Sequence, residues 1–285
     1  MSTTLASTWN LSLRGLLMGT GTRYRIADAP TGLGTPSVRS ADTPYLDADG
    51  VYAAGDVHDA RQLSLGLLVL GDSPGHAEEL SRALGGAWQA SRVDLELLIR
   101  VADDRTYSLA GRPRKCELDL KDLKYGHVRA AVLFVGTDPR LYDAVPTEVF
   151  LPLGSGVASG LTFPLTFPLI FQEGAVPPGL ATITNQGTAS TFPRVTITGD
   201  VTNPRVENTT TGASLALDLD MTAGDVVVVD MAAHAITHNG TNALGALAAG
   251  STFWPLIPGA NHVSFRAAVD TTSAVAALSY RSAWL

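Results

Sequence analysis

Apolar and polar residues alternate along most of this chain, and this period of two predicts a protein built from β-strands. Between Leu95 and Val101, for example, apolar side chains occupy every second position. The strands predicted in the first half cover residues 8–19, 22–29, 61–71, 93–102, 106–123 and 127–136. Residues 30–60 are rich in turn-forming residues and predict an irregular segment, which in a compact domain is either functional or disordered.

One helix is predicted within this β pattern, over residues 73–92. Ser73 is a good N-cap residue, and Pro74 suits the first helical position, where a missing N–H costs nothing. Leu80, Leu84 and Trp88 recur at a spacing of four, so one face of the helix is apolar and should be buried.

Residues 71–75, Gly-Asp-Ser-Pro-Gly, also match the G-x-S-x-G pattern of a hydrolase nucleophile elbow. In that motif the residue after the serine donates its backbone N–H to the oxyanion hole. Here that residue is Pro74, which has no N–H. We therefore predict a helix cap at Ser73 and no catalytic residue, and a hydrolase is the weakest alternative.

The second half predicts strands without helices, separated by turn signals about every 8–12 residues, which is typical of an antiparallel β-sandwich. The predicted structural turns lie at Gly212, Asn239, Gly240, Pro258 and Gly259. The strongest is the Asn-Gly pair, because both residues tolerate the positive φ of a tight hairpin turn.

Charged residues are distributed unevenly along the 285 residues, and this uneven distribution supports two domains. Residues 1–150 hold 16 Lys/Arg and 19 Asp/Glu, whereas the remaining residues hold 4 and 8. We predict an amino-terminal domain over 1–150, a linker over 151–164 and a carboxy-terminal domain over 165–285. Glycine-rich residues 154–160 fit a linker better than a phosphate loop, since they lack the Walker lysine and precede no helix.

Overall charge and cysteine content exclude several classes of protein. The net charge of −7 argues against an electrostatically driven nucleic-acid binder. Cys116 is the sole cysteine and cannot form an intramolecular disulfide. No apolar stretch reaches the roughly 18 residues of a membrane span. The amino terminus lacks a basic segment before an apolar core, so we expect no secretory signal and folding in a reducing cytoplasm.

The second half carries a family resemblance in the order and spacing of its segments. The segments are NQGTASTFPRVTITGDVTNPRVENTTTG, GDVVVVD, HNGTN, STFWPLIPGANHVSF and the terminal SYRSAW. They resemble the carboxy-terminal galectin-like domain of siphophage distal tail proteins. The first half is similar to the ring-forming domain of the same family through RQLSLGLLVLG, the single helix and LFVGTDPRLYD. The expected fold is therefore mainly β, with a β-rich amino-terminal ring-forming domain carrying one helix and a galectin-like antiparallel sandwich.

This resemblance implies a mechanical role and no enzymatic activity or cofactor. Distal tail proteins of siphoviruses form a hexameric ring that joins the tail tube to the tip or baseplate, and DNA passes through its lumen. The implied partners are further copies of the chain, the tail tube protein, a tail tip or hub protein and a receptor-binding protein. The implied location is the tail tip of the virion, after assembly in the host bacterial cytoplasm. We expect a neutral or acidic lumen, because a basic one would retain DNA.

The alternative from another class is a carbohydrate-binding β-sandwich module of a host-recognition protein. Trp254, Phe265, Tyr280 and Trp284 could form a surface on which sugars stack, although isolated aromatic residues in a sandwich are more often core. The sequence assigns no sugar-binding residue.

Polar clusters give no metal or catalytic site. His234 and His238 lie in HAITH, which lacks the glutamate of a zinc protease motif, and a strand would hold them about 13 Å apart. Asp56 and His58 have no evident third ligand, and Asp218 with Asp220 fits a solvated strand face. Residues 163–171, FPLTFPLIF, carry prolines that exclude a central strand and fit either an interdomain plug or an apolar strip between subunits.

Overall fold

The computed structural model describes residues 9–102, 105–154, 179–267 and 274–285. The chain divides into two compact units. The first unit holds the chain up to Ala144 together with Trp284 and Leu285, and the second holds Val145–Ala283. Each unit has its own apolar core.

The first unit consists of a large antiparallel sheet, one α-helix in its described residues, and small two-stranded ladders. Its elements are β1 (Asn10–Leu13), β2 (Leu16–Gly19), β3 (Tyr24–Thr31), β4 (Val38–Arg39), β5 (Thr43–Pro44), β6 (Val51–Tyr52), β7 (Val57–His58), β8 (Arg61–Leu70), α1 (Pro74–Ala87), β9 (Leu95–Ala102), β10 (Arg105–Asp119), the 3₁₀ turn η1 (Leu123–Tyr125), β11 (His127–Gly136) and β12 (Leu141–Asp143). The main sheet has the order β2-β1-β9-β10-β11-β8-β3, and β12 pairs with β10.

Alternation along the strands places one face of this sheet in the core. In β8 every second residue from Arg61 to Val69 is buried, and β11 buries Val128, Ala130, Val132 and Phe134 in the same way. Helix α1 packs on β8 and β11 and buries Ala77 and Leu84. The predicted strands 61–71 and 127–136 and the predicted helix are thus confirmed within a few residues at their ends.

The first predicted strand, residues 8–19, was wrong as a single element. It is a hairpin of β1 and β2, in which Leu13 pairs with Leu16. Arg14 and Gly15 form the turn with φ values of 50° and 81°. A two-residue turn of this kind needs positive φ at both positions, and arginine gives no sequence signal for that conformation.

The second unit is a sandwich of two antiparallel sheets. Its elements are β13 (Thr147–Pro152), β14 (Leu180–Asn185), β15 (Arg194–Thr198), β16 (Val201–Thr202), β17 (Arg205–Asn208), β18 (Ala213–Ala216), β19 (Asp220–Met221), β20 (Val226–Asp230), β21 (Ala235–His238), β22 (Thr241–Asn242), the 3₁₀ turn η2 (Leu244–Ala246), β23 (Gly259–Arg266) and β24 (Val275–Tyr280). One sheet has the order β13-β24-β15-β20-β21-β22 and the other β14-β23-β17-β18. Both sheets send side chains into one core, as Val195 and Leu278 do from the first sheet and Val206 and Val263 from the second. The last strand, β25 (Ala283–Trp284), ends in the first unit.

The division between the units differs from the one that the sequence suggests. Strand β13 pairs with β24 along its whole length, from Thr147 opposite Tyr280 to Pro152 opposite Val275. Residues 145–150 therefore belong to the second unit, although composition groups them with the first half. Most of the predicted linker over 151–164, and the apolar segment 163–171, lie outside the described residues.

Candidate assembly surface

Residues Ser37–Asp59 form a β-hairpin that leaves the main sheet of the first unit, and we call it the arm. It leaves after the end of β3 and returns to the start of β8. Two short ladders hold its limbs together, β4 with β7 and, further out, β5 with β6. From Ser37 to His58 every residue is exposed, so the arm makes no core with the unit that carries it. Each limb of roughly ten residues can extend about 30 Å.

The arm displays apolar side chains to solvent. Of the fourteen exposed large apolar side chains in the described part of the chain, six lie in the arm. They are Val38, Tyr45, Leu46, Val51, Tyr52 and Val57. Leu46 at the tip is fully exposed and Tyr52 is 67% exposed. A two-stranded hairpin is marginally stable at best in water, and contiguous exposed apolar side chains mark candidate sites of contact with other molecules.

Aromatic and acidic residues share the tip of the arm. The rings of Tyr45 and Tyr52 meet edge to face with their centroids 4.5 Å apart. The arm contains one arginine against five aspartates, a formal charge of −4. Arg39 lies 3.7 Å from the Asp59 carboxylate, which leaves most of the negative charge on the outer part of the hairpin. The arm is therefore apolar and acidic together.

Arg61 fixes the base of the arm to the sheet. Its side chain is 1% exposed and donates to the backbone carbonyls of Pro139, at 2.6 Å, Gly32, at 2.8 Å, and Gly34. Burial lowers the pKa of this guanidinium. Gly32 has a φ of 92°, and a Cβ there would collide with the carbonyl oxygen of Gln62. The base is thus a close approach of two backbone segments held by one buried cation.

Ser73 caps helix α1. Its Oγ accepts a hydrogen bond from the backbone N–H of His76 at 3.2 Å, and Pro74 is the first helical residue. The neighbouring Asp72 carboxylate accepts both Nη groups of Arg23, at 2.7 and 2.8 Å. This pairing lowers the pKa of Asp72. These contacts hold the loop before the helix, and Pro74 has no N–H that could serve as an oxyanion donor.

The histidines of the second unit take separate roles at the surface. His234 stacks on Phe253 with ring centroids 4.7 Å apart. His238 lies 3.5 Å from the Asp225 carboxylate. Among the described residues, no three His, Cys, Asp or Glu side chains lie close enough together to hold a metal ion. Asp218 and Asp220 are exposed on either side of half-buried Leu219.

The aromatic residues weighed as a sugar-stacking surface are mostly core. Trp254 is 1% exposed, Phe265 is fully buried and Tyr280 is 7% exposed. Tyr280 also donates its hydroxyl to the carbonyl of Thr184 at 3.0 Å. Trp284 belongs to the first unit, where its ring contacts Tyr107 edge to face. These four side chains form no common surface for a glycan.

Four of the five predicted turn residues have a positive φ. Asn239 and Gly240 join β21 to β22 with φ values of 50° and 79°, and Gly212 and Gly259 have φ of 73° and 88°. The amide of Asn239 donates to Asp225 at 2.7 Å. Hydrogen bonds from Thr222 and Asn239 hold the pKa of Asp225 well below its ordinary value.

The Pro258-Gly259 turn is held from inside the sandwich. Fully buried Asn261 donates to the carbonyls of Ile257, at 2.8 Å, and Gly259, at 3.1 Å, and accepts the N–H of Ile257 at 3.0 Å. One side chain therefore satisfies the backbone on both sides of Pro258, a role that the sequence did not reveal.

The known proteins to which this chain is similar are components of phage tails and baseplates. Residues 186–284 match the family described as siphovirus-type tail component, C-terminal domain. The crystal structure of SPP1 Dit, described as a paradigm of the hub adsorption apparatus in phages that infect Gram-positive bacteria, superposes with a TM-score of 0.68 at 13% identity, covering 96% of this chain and 99% of that one. A chain of the phage P2 baseplate in its activated conformation with calcium gives a TM-score of 0.53 at 11% identity, covering 95% and 97%. No curated sequence is significantly similar. Within the described residues, no helix is long and apolar enough to cross a membrane.

Proposed function

We propose that this chain is a distal tail protein of a siphophage and assembles as a hexameric ring that joins the tail tube to the tail tip. Its structural role in a phage tail or baseplate follows from the matched carboxy-terminal domain and from the fold shared with SPP1 Dit over nearly the whole chain. The ring, its stoichiometry and its neighbours are the proposal.

The observation that carries the ring is the arm. On a monomer, exposed Leu46 and Tyr52 would promote aggregation, whereas in a ring a neighbouring copy would cover them. In a closed ring each subunit presents two different faces, one that reaches out and one that receives. An extended hairpin is well suited to be the face that reaches out.

Solution mass tests the ring. Light scattering should give about 180 kDa for six copies of the 29.8 kDa chain, and negative-stain images should show six-fold rings. A variant in which residues 37–59 are replaced by a short glycine-serine loop should stay monomeric while it keeps the β-type circular dichroism of the full chain. A full-length chain that stays monomeric at high concentration would contradict the proposal.

We further propose that DNA crosses the lumen without binding it, and that the ring contacts the tail tube protein on one side and a hub or receptor-binding protein on the other. The net charge of −7 supports free passage. DNA binding is driven by basic side chains that displace the cations condensed on the phosphates, and a neutral or acidic lumen lacks an excess of such side chains. A gel-shift assay with double-stranded DNA at about 0.15 M salt should show no retardation. Tight binding of DNA would contradict this part of the proposal.

The proposed location is the tail tip of the virion, reached after assembly in the host cytoplasm. Mass spectrometry of purified tails should detect the chain in about the copy number of one closed ring, six per tail. Its absence from intact tails would contradict this location. As a structural adaptor the protein is proposed to turn over no substrate.

A further inference from the structure

We propose that Asn239 is a latent site of spontaneous deamidation, and that Asp225 keeps it unreactive while the second unit is folded. Asn239 and Gly240 form the turn between β21 and β22, and both residues are exposed. They make up the one Asn-Gly pair of the chain. The inference concerns the chemical durability of the sandwich and does not depend on the proposed ring.

Deamidation at an Asn-Gly pair begins with attack by the backbone. The nitrogen of Gly240 bonds to Cγ of Asn239 and closes a succinimide ring, while Nδ2 leaves as ammonia with the proton that the attacking nitrogen gives up. Water then opens the ring to aspartate or isoaspartate. Glycine favours this reaction, because it has no Cβ to hinder the nitrogen and its backbone reaches conformations that other residues rarely adopt. Asn239 is therefore the amide of this chain whose neighbour favours deamidation most.

Both terminal atoms of the Asn239 side chain are held by the segment that begins β20. Its Oδ1 accepts the backbone N–H of Val226 at 2.9 Å, and its Nδ2 donates to the Asp225 carboxylate at 2.7 Å. The backbone N–H of Asn239 also donates to the carbonyl of Val226, at 2.8 Å. The side chain can therefore rotate towards the nitrogen of Gly240 only after both of its hydrogen bonds have broken.

The Asp225 carboxylate is itself fixed in place. Its Oδ2 accepts the backbone N–H of Thr222 at 2.7 Å and the Thr222 hydroxyl at 2.9 Å. These bonds and the one from Asn239 stabilise the ionised carboxylate, which holds the pKa of Asp225 below its ordinary value. A hydrogen bond to an ionised acceptor is roughly twice as strong as one between neutral groups. Asp225 is thus a positioning residue for the amide of Asn239.

The products of the reaction fit this turn poorly. Aspartate at position 239 would replace the Nδ2 donor with a second carboxylate oxygen beside Asp225, where Nδ2 and Oδ1 are now 2.7 Å apart. Two like charges at that distance repel each other. Isoaspartate would lengthen the backbone of a two-residue turn whose conformation sets the register of the hairpin. The contact with Asp225 therefore opposes the reaction and is lost when the reaction occurs.

Peptide mapping by mass spectrometry tests the latent site. In a mildly alkaline buffer, Asn239 of the full chain should deamidate at least about tenfold more slowly than in a synthetic peptide of residues 232–245, because two hydrogen bonds oppose the attack. Asp225→Ala should remove most of this difference. Asp218→Ala, at an exposed position outside the turn, is the matched control. Equal rates in the full chain and the peptide would overturn the inference, as would equal rates in the two variants, each shown to be folded by circular dichroism.

Exchanging the two side chains tests their coupling without relying on Asp225→Ala. Asn239→Asp alone places two carboxylates together and should lower the midpoint of thermal unfolding. Asp225→Asn/Asn239→Asp restores a donor and an acceptor in reversed positions and should recover most of that loss, which additivity of independent substitutions does not allow. A double variant that is no more stable than Asn239→Asp would show that the two side chains are not coupled and would overturn the inference.

Discussion

Two hairpins of this molecule use similar residues in opposite ways. The β20–β21 hairpin buries Val227, Val229 and Ile236 in the sandwich core, each no more than 1% exposed. The arm turns Val51 and Tyr52 to solvent. β-Branched and aromatic residues are favourable on the pleated surface of any strand. Whether these side chains are buried depends on the strands that pack beside them. The sandwich hairpin has strands of its own sheet beside it. Among the described residues no further strand pairs with the arm, and we propose that another copy covers its apolar face.

The largest effect should come from removing a side chain of the sandwich core. Phe265→Ala deletes a fully buried ring and should lower the free energy of unfolding by about 3–5 kcal/mol. Tyr52→Ala, on the arm, is the contrasting control and should change it by less than about 0.5 kcal/mol. Urea unfolding followed by the fluorescence of buried Trp254 measures the first value. Similar losses from both variants would remove the contrast between the sandwich core and the arm.

Loosening the base of the arm should have the next largest effect. Arg61→Met leaves the carbonyls of Gly32, Gly34 and Pro139 without their buried donor and should cost roughly 2–4 kcal/mol. The arm should then be cleaved faster by a protease that cuts beside aromatic residues. Arg25→Met, at an exposed position of β3, should leave both stability and cleavage unchanged. Unchanged cleavage in Arg61→Met would show that another contact orients the arm.

A smaller effect is expected at the helix cap. Ser73→Ala removes the acceptor for the N–H of His76 and should lower stability by about 0.5–2 kcal/mol, whereas Ser73→Asn keeps an acceptor and should be close to wild type. Thermal unfolding measures the difference. Hydrolysis of a p-nitrophenyl ester that disappears in Ser73→Ala would instead indicate a nucleophile and contradict our assignment.

The smallest effect on folding should accompany a large effect on assembly. Leu46→Ser removes the most exposed apolar side chain of the arm and should change the free energy of unfolding by less than about 0.5 kcal/mol. It should nevertheless shift the light-scattering mass towards the monomer. If the light-scattering mass of Leu46→Ser equals that of the wild type at every concentration, Leu46 takes no part in the subunit contact.

Local patterns predicted most of the sheet scaffold but not its long-range partners. Strand β20 and the Asn239-Gly240 turn follow from short-range preferences for β-branched residues and positive φ. The assignment of Thr147–Pro152 to the second unit depends on pairing with residues more than a hundred positions away, which alternation cannot encode. The same holds for Trp284, which lies at the end of the chain and belongs to the first unit.

The candidate surface was only partly visible in the sequence. Residues 30–60 were predicted to be irregular, because the ladder strands of the arm are only two residues long and the segments between them carry aspartate and glycine. The Asp49-Gly50 pair was an available turn signal at its tip. The buried contacts of Arg61 could not be predicted, because arginine is normally a surface residue and its three acceptors come from separate backbone segments.

Hydrogen exchange of the arm measures the central claim most directly. Amide exchange is followed by mass spectrometry in the assembled protein and in the same protein diluted until light scattering reports monomers. We predict that peptides from residues 37–59 become protected on assembly, while peptides from β20 and β21 exchange equally in both states. Arm peptides that exchange as fast in the assembled protein as in the monomer would contradict the assignment of this hairpin to the subunit contact.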